Sequence, residues 1–80
     1  MTIEVLGRGC GRCEALHYIT LTAVAELGLD ARVEKIYDDA EIARLGVMST
    51  PALALDGRVL ISGAVPSVKV VSRLLTANIG

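Results

Sequence analysis

Gly7-Arg8-Gly9-Cys10-Gly11-Arg12-Cys13 is the stretch around which this chain is organised. It holds both cysteines of the protein, with two residues between them. Thr2 to Leu6, just before it, reads as a strand with Ile3 and Val5 on one face. Glu4 marks the opposite face as thinly covered. Gly7 and Gly9 form a flexible turn that other groups can approach closely. From Cys10 to Leu27 the apolar period becomes helical, with Leu16, Thr20, Ala23 and Leu27 in one stripe and Val24 widening it. Gly28 is the expected helix stop. Ile19 and Leu21 fall off the main stripe, as ordinary exposed apolar residues or as part of a contact surface. The two sulfurs are therefore expected at the end of a strand and the start of a helix.

The rest of the chain reads outward from there. Ala31 to Tyr37 is a second strand whose charges, Arg32, Glu34 and Lys35, fit a sheet edge. Asp38 caps a short helix, and Glu41 three residues on completes an acidic capping box. Ile42 and Leu45 face inward, and Gly46 ends this helix. After Val47 to Thr50 and Pro51, Ala52-Leu53-Ala54-Leu55 is a continuous apolar strand, as expected where both faces are covered. Asp56-Gly57 is a hairpin turn, and Arg58 to Ser62 returns antiparallel. Gly63 to Pro66 connects to a last helix, with Ser67 as its cap and Val68, Val71, Leu74 and Leu75 on its apolar face. The order is β-α-β-α-β-β-α. A right-handed crossover makes the first two strands parallel. The expectation is an α/β fold over residues 1–80, a single domain with a four-stranded mixed sheet and helices on both faces.

Composition narrows the class. The hydrophobic share is 52%, with no Phe or Trp, so the core must be built mainly from Val, Leu, Ile and Ala. The net charge of -1, with both signs interspersed, gives no footprint for nucleic acid. No apolar run has the length of a membrane span, and the N-terminus enters a strand without a basic-then-apolar leader. These features favour the cytoplasm, where two close cysteines are more often redox-active or metal-binding than structural.

A thiol reacts as its thiolate, so a redox cysteine needs a lowered pKa. A helix N-terminus favours negative charge through its unpaired N–H groups and its macrodipole. Cys10 is expected at that terminus, with Cys13 one turn inside. Arg8 and Arg12 bracket Cys10 and add positive potential, and Gly11 keeps its approach open. Cys10 is thus assigned as the attacking thiol. Cys13 is assigned as the more buried resolving thiol, which displaces the reduced partner from a mixed disulfide.

Metal is the competing reading. Two thiolates at this spacing are half of a tetrahedral zinc site, and His17 extends them to Cys-x2-Cys-x3-His. His17 is otherwise a solvated helical residue or a tuner of thiol acidity. The alternatives are a metal-binding or metal-delivery module using Cys10, Cys13 and His17, and a regulatory subunit that only docks a partner.

Cys-Gly-Arg-Cys after a first strand, followed by Ser49-Thr50-Pro51 before a hairpin, resembles the thioredoxin superfamily. The runs Glu4-Val5-Leu6-Gly7 and Val47-Met48-Ser49-Thr50-Pro51-Ala52-Leu53 look most like the small archaeal and bacterial thioredoxin/glutaredoxin-like redox-active disulfide proteins. The resemblance spans nearly the whole chain. It implies a thioredoxin-like fold and a cytoplasmic thiol–disulfide oxidoreductase or electron carrier. The catalytic pair would be Cys10 and Cys13, with Thr50, Pro51, Arg8, Gly11 and Arg12 lining the substrate site. It also implies a cis Thr50–Pro51 bond lying against the active disulfide, with Thr50 pairing with the substrate main chain.

Two departures bear on specificity. Gly9 and Arg12 stand where thioredoxins carry Trp and Pro. Ser62-Gly63-Ala64-Val65-Pro66-Ser67 has one glycine and no acid where glutaredoxins hold glutathione, although Arg8 matches a glutaredoxin lysine. The resemblance therefore gives glutathione poor support. No metal and no cofactor beyond the redox-active disulfide is expected. The implied partners are a protein disulfide and an unidentified reductase, with neither nucleic acid nor membrane, and the chain a monomer or weak dimer.

Overall fold

The computed structural model describes residues 1–9 and 11–79. The elements are β1 (Thr2–Leu6), α1 (Gly11–Leu27), β2 (Arg32–Ile36), α2 (Asp39–Arg44), β3 (Ala52–Leu55), β4 (Arg58–Ser62) and α3 (Val68–Ile79). The sheet order is β2-β1-β3-β4. β1 runs parallel to β2, and the pairs β1–β3 and β3–β4 are antiparallel. The expected mixed α/β architecture is observed, with the charged β2 at an edge. No helix among the described residues is long and apolar enough to cross a membrane.

Strand alternation sorts the core into two layers. Ile3, Val5, Leu53 and Leu55 pack with Leu16 and Ala23 of α1 and with Val71 and Leu75 of α3. On the other face Leu6, Ala52 and Ala54 pack with Ile42 of α2. The second layer is shallow because α2 has only 6 residues. Glu4 lies on that thinner side, half-buried, and its carboxylate accepts from the Gly57 N–H at 3.2 Å. Ile19 is not a stray exposed residue: it packs against the larger layer, whereas Leu21 is exposed.

Local chemistry accounts for the element ends. The Asp38 carboxylate accepts from the Ala40 N–H at 2.8 Å and caps α2. Glu41 makes its ion pair with Arg44 on the same helix. Ser67 Oγ accepts from the Val70 N–H at 3.2 Å and caps α3. Gly28 and Gly46 take the left-handed conformation expected after a helix, with φ of 64° and 78°.

Asp56 takes φ of 49° in the β3–β4 turn, and Oδ1 accepts from the Thr2 N–H at 2.8 Å. An alanine there would lose that bond and suffer the left-handed backbone that aspartate tolerates. Asp56→Ala is expected to cost about 1 kcal/mol, and to lower Tm by about 4–8 °C in a domain of this size. Asp56→Asn retains both the acceptor and the tolerance, so urea titration should place it near the parent.

Candidate active site

The register gathers one end of the sheet into a site. β1 and β2 are parallel with Leu6 opposite Ile36, so the residues after both strands emerge together. β1 and β3 are antiparallel with Leu6 opposite Ala52, which brings Gly7 beside Pro51. Ala52 faces Ser62 in turn, so Gly63 also joins this end. The Gly7 N–H donates to the Ile36 carbonyl at 3.0 Å, and the Gly63 N–H donates to the Pro51 carbonyl at 2.8 Å.

Cys13 lies in the first turn of α1, buried at 5% exposure. Cys10 falls outside the described residues, so its assignment as the attacking thiol rests on the sequence. Gly7 lies against Cys13. A Cβ added to it would collide with Cys13 Sγ, stand 3.0 Å from Cys13 Cβ, and reach Pro51 Cα at 3.9 Å. The absent side chain of Gly7 is what lets the Cys13 sulfur settle against the end of β1. The Thr50–Pro51 bond is cis, as the resemblance implies, and Pro51 is buried beside half-buried Thr50.

The other substrate-site expectations land differently. Arg12 is exposed, and its Nη2 donates to the Gly63 carbonyl at 3.1 Å. Because Gly63 also donates to Pro51, Arg12 braces the start of α1 against the cis-proline loop. Gly63 has φ of 73°, and a Cβ there would stand 3.0 Å from that of Ser49, so this crossing suits glycine. Gly11 is exposed, and a Cβ on it would meet nothing within 4 Å. Arg8 pairs through Nε with Asp39 Oδ1 at 2.9 Å.

Two groups on the β2 side were not singled out by motif. Tyr37, 52% exposed, sets Cε1 3.4 Å from where a Gly9 Cβ would be, so its ring lies beside Gly9. Lys35 Nζ grips both Glu14 carboxylate oxygens, at 2.9 and 3.1 Å, and so ties β2 to the first turn of α1. That hydrogen bond is the main cause raising the Lys35 pKa. The Lys35 ammonium is therefore charged at neutral pH, and on the alkaline side the contact is lost only as it deprotonates, above the ordinary lysine range.

His17 is half-buried rather than simply solvated, and its Nδ1 is buried without a hydrogen-bond partner. Among the described residues no three His, Cys, Asp or Glu side chains gather as a metal site.

Comparison with known proteins agrees with this fold. The model of the Thioredoxin domain family matches residues 1–76. This chain belongs to the thioredoxin family. A thioredoxin from Methanothermobacter thermautotrophicus is 38% identical over 76 residues, covering 95% of this chain and 99% of the relative. A thioredoxin from Methanocaldococcus jannaschii is 38% identical over 69 residues, covering 86% of this chain and 79% of the relative. Membership supports, in general terms, a thiol–disulfide oxidoreductase type of function for this thioredoxin-family chain.

Proposed function

We propose that this chain reduces or exchanges protein disulfides through a Cys10–Cys13 redox pair, as a thioredoxin/glutaredoxin-like oxidoreductase or electron carrier. The observation that carries the reading is the seating of Cys13. It lies buried in the first turn of α1, in the notch left by Gly7, and Pro51 Cα of the cis-proline segment stands 3.9 Å from where a Gly7 Cβ would be.

In this reading the Cys10 thiolate attacks one sulfur of the substrate disulfide. An S–S bond forms between Cys10 and substrate, the substrate S–S bond breaks, and the departing thiolate takes a proton. Cys13, as thiolate, then attacks the Cys10 sulfur. The Cys10–Cys13 disulfide forms, and the second substrate sulfur leaves and is protonated. Two electrons and two protons pass to the substrate, and a dithiol reductase restores the pair. Thr50, Pro51, Arg8, Gly11 and Arg12 flank the docked disulfide. The chain works in the cytoplasm and needs no cofactor beyond its own disulfide.

The test is insulin-disulfide reduction with dithiothreitol as the regenerating dithiol. The chain should accelerate precipitation of the reduced insulin chain over dithiothreitol alone. Its oxidised form should show no free thiol by alkylation and mass spectrometry. Absence of acceleration, together with stoichiometric zinc or copper in protein purified without added metal, would sink the proposal in favour of a metal-binding module.

A further inference from the structure

An open groove of about 450 Å³ lies between α2 and the segment that leads into the cis-proline bond. Ile42, Val47, Met48 and Thr50 line it, and Arg8 and Asp39 supply its charge. Met48 is 97% exposed. An unbranched thioether in that position adapts to varied apolar side chains.

Arg8 is paired with Asp39 across the groove at 2.9 Å. Arg12 is engaged with the Gly63 carbonyl, and Arg44 of α2 is closed on Glu41. Arg8, Arg12 and Arg44 are thus each engaged within the chain. Arg8 differs from the other two because its partner, Asp39, also lines the groove.

We propose that Asp39 sets the charge preference of this groove: by holding Arg8 it turns the site away from small anionic disulfides and towards polypeptide disulfides in neutral or apolar surroundings. The inference rests on the oxidoreductase reading above and names its substrate class. A free guanidinium presents a donor fork that carboxylates match well. A small dicarboxylate disulfide has little other surface with which to bind, so its docking depends on such a cation. A polypeptide instead gains from main-chain pairing at Thr50 and from an apolar side chain against Val47 and Met48. Neutralising Arg8 from within the chain removes the first attraction and leaves the second.

The test compares oxidation of the pre-reduced protein by oxidised glutathione, an anion, and by bis(2-hydroxyethyl) disulfide, which is neutral. Acid quenching and thiol alkylation give a second-order rate constant for each, at low ionic strength. The quantity read is the ratio of the anionic to the neutral rate constant, which cancels any change in thiol reactivity. Asp39→Asn should raise the ratio about 1.5- to fivefold, the span expected of an exposed ion pair. High salt should erase most of the gain. Arg8→Met added to Asp39→Asn should abolish it. Arg8→Met alone should lower the ratio below the parent's, because it leaves Asp39 as an unpaired anion in the groove.

An unchanged ratio in Asp39→Asn, or a gain that survives Arg8→Met, overturns the proposal. Failure of the reduced parent to react even with the neutral disulfide overturns the oxidoreductase reading, and this proposal with it.

Discussion

Cys10→Ser is expected to bring insulin-disulfide reduction down to the rate of the chemical reductant alone, whereas Cys13→Ser is expected to accumulate mixed disulfides. The asymmetry follows from access. Cys13 is 5% exposed, so a disulfide within a folded partner has no route to its sulfur. An attacking thiol must reach the partner, and a resolving thiol need only reach its neighbour. Removing Cys10 therefore ends the reaction before a covalent complex forms. Removing Cys13 stops it one step later, with the partner held on Cys10. Non-reducing electrophoresis and mass spectrometry of Cys13→Ser incubated with oxidised insulin would read the adduct. Adducts forming on Cys13 in Cys10→Ser as fast as on Cys10 in Cys13→Ser would reverse the assignment. Full reductase activity in both single variants would remove the redox pair from the mechanism.

Much of this site was legible as periodicity and punctuation. The four-residue apolar run Ala52–Leu55 announced a strand covered on both faces, and all four residues are buried. Asp38, Gly28 and Asp56-Gly57 marked ends and turns through side-chain or backbone chemistry that is local in sequence, and the structure uses each of them in that way. Cys13 is buried in the first turn of α1, while its burial relative to Cys10 lies outside the described residues.

What escaped was the chemistry between distant segments. Arg8 and Asp39 meet because β1 and β2 are parallel and in step, with Leu6 opposite Ile36. The same register sets Tyr37 over Gly9. Once the parallel pairing was inferred, aligning the two strand ends would have brought Arg8 and Gly9 towards Tyr37 and Asp39. No motif carries that signal, because it lies in the sum of two strand lengths. Arg12 shows the same limit. Its charge suggested a role towards the thiols or the substrate, whereas its hydrogen bond runs across 51 positions to Gly63. The bond exists because Ser62 faces Ala52 in the β3–β4 pairing, which carries Gly63 to the site. Side-chain type predicted charge, and tertiary register decided where that charge is used.

Gly7→Ala tests how tightly that register holds Cys13. Gly7 is buried, and its N–H is bonded to the Ile36 carbonyl at 3.0 Å, directly after a strand paired on both sides. Its backbone therefore has little freedom to retreat. The new Cβ would collide with Cys13 Sγ and crowd Cys13 Cβ at 3.0 Å. Relief requires Cys13 to change rotamer or the first turn of α1 to lift, and Lys35 on Glu14 and Arg12 on Gly63 both resist the lift. Overpacking of this kind costs about 1–3 kcal/mol, which urea titration resolves easily. The cost should shrink in a Cys13→Ala background, where the sulfur that meets the new methyl is gone. An equal cost in both backgrounds would locate the strain elsewhere than at Cys13. Under the proposed mechanism the same substitution should slow release of substrate from the mixed disulfide more than its formation, because only release needs the Cys13 sulfur that the methyl displaces. Equal slowing of both steps would mean that the methyl disturbs the whole helix start rather than the notch that seats Cys13.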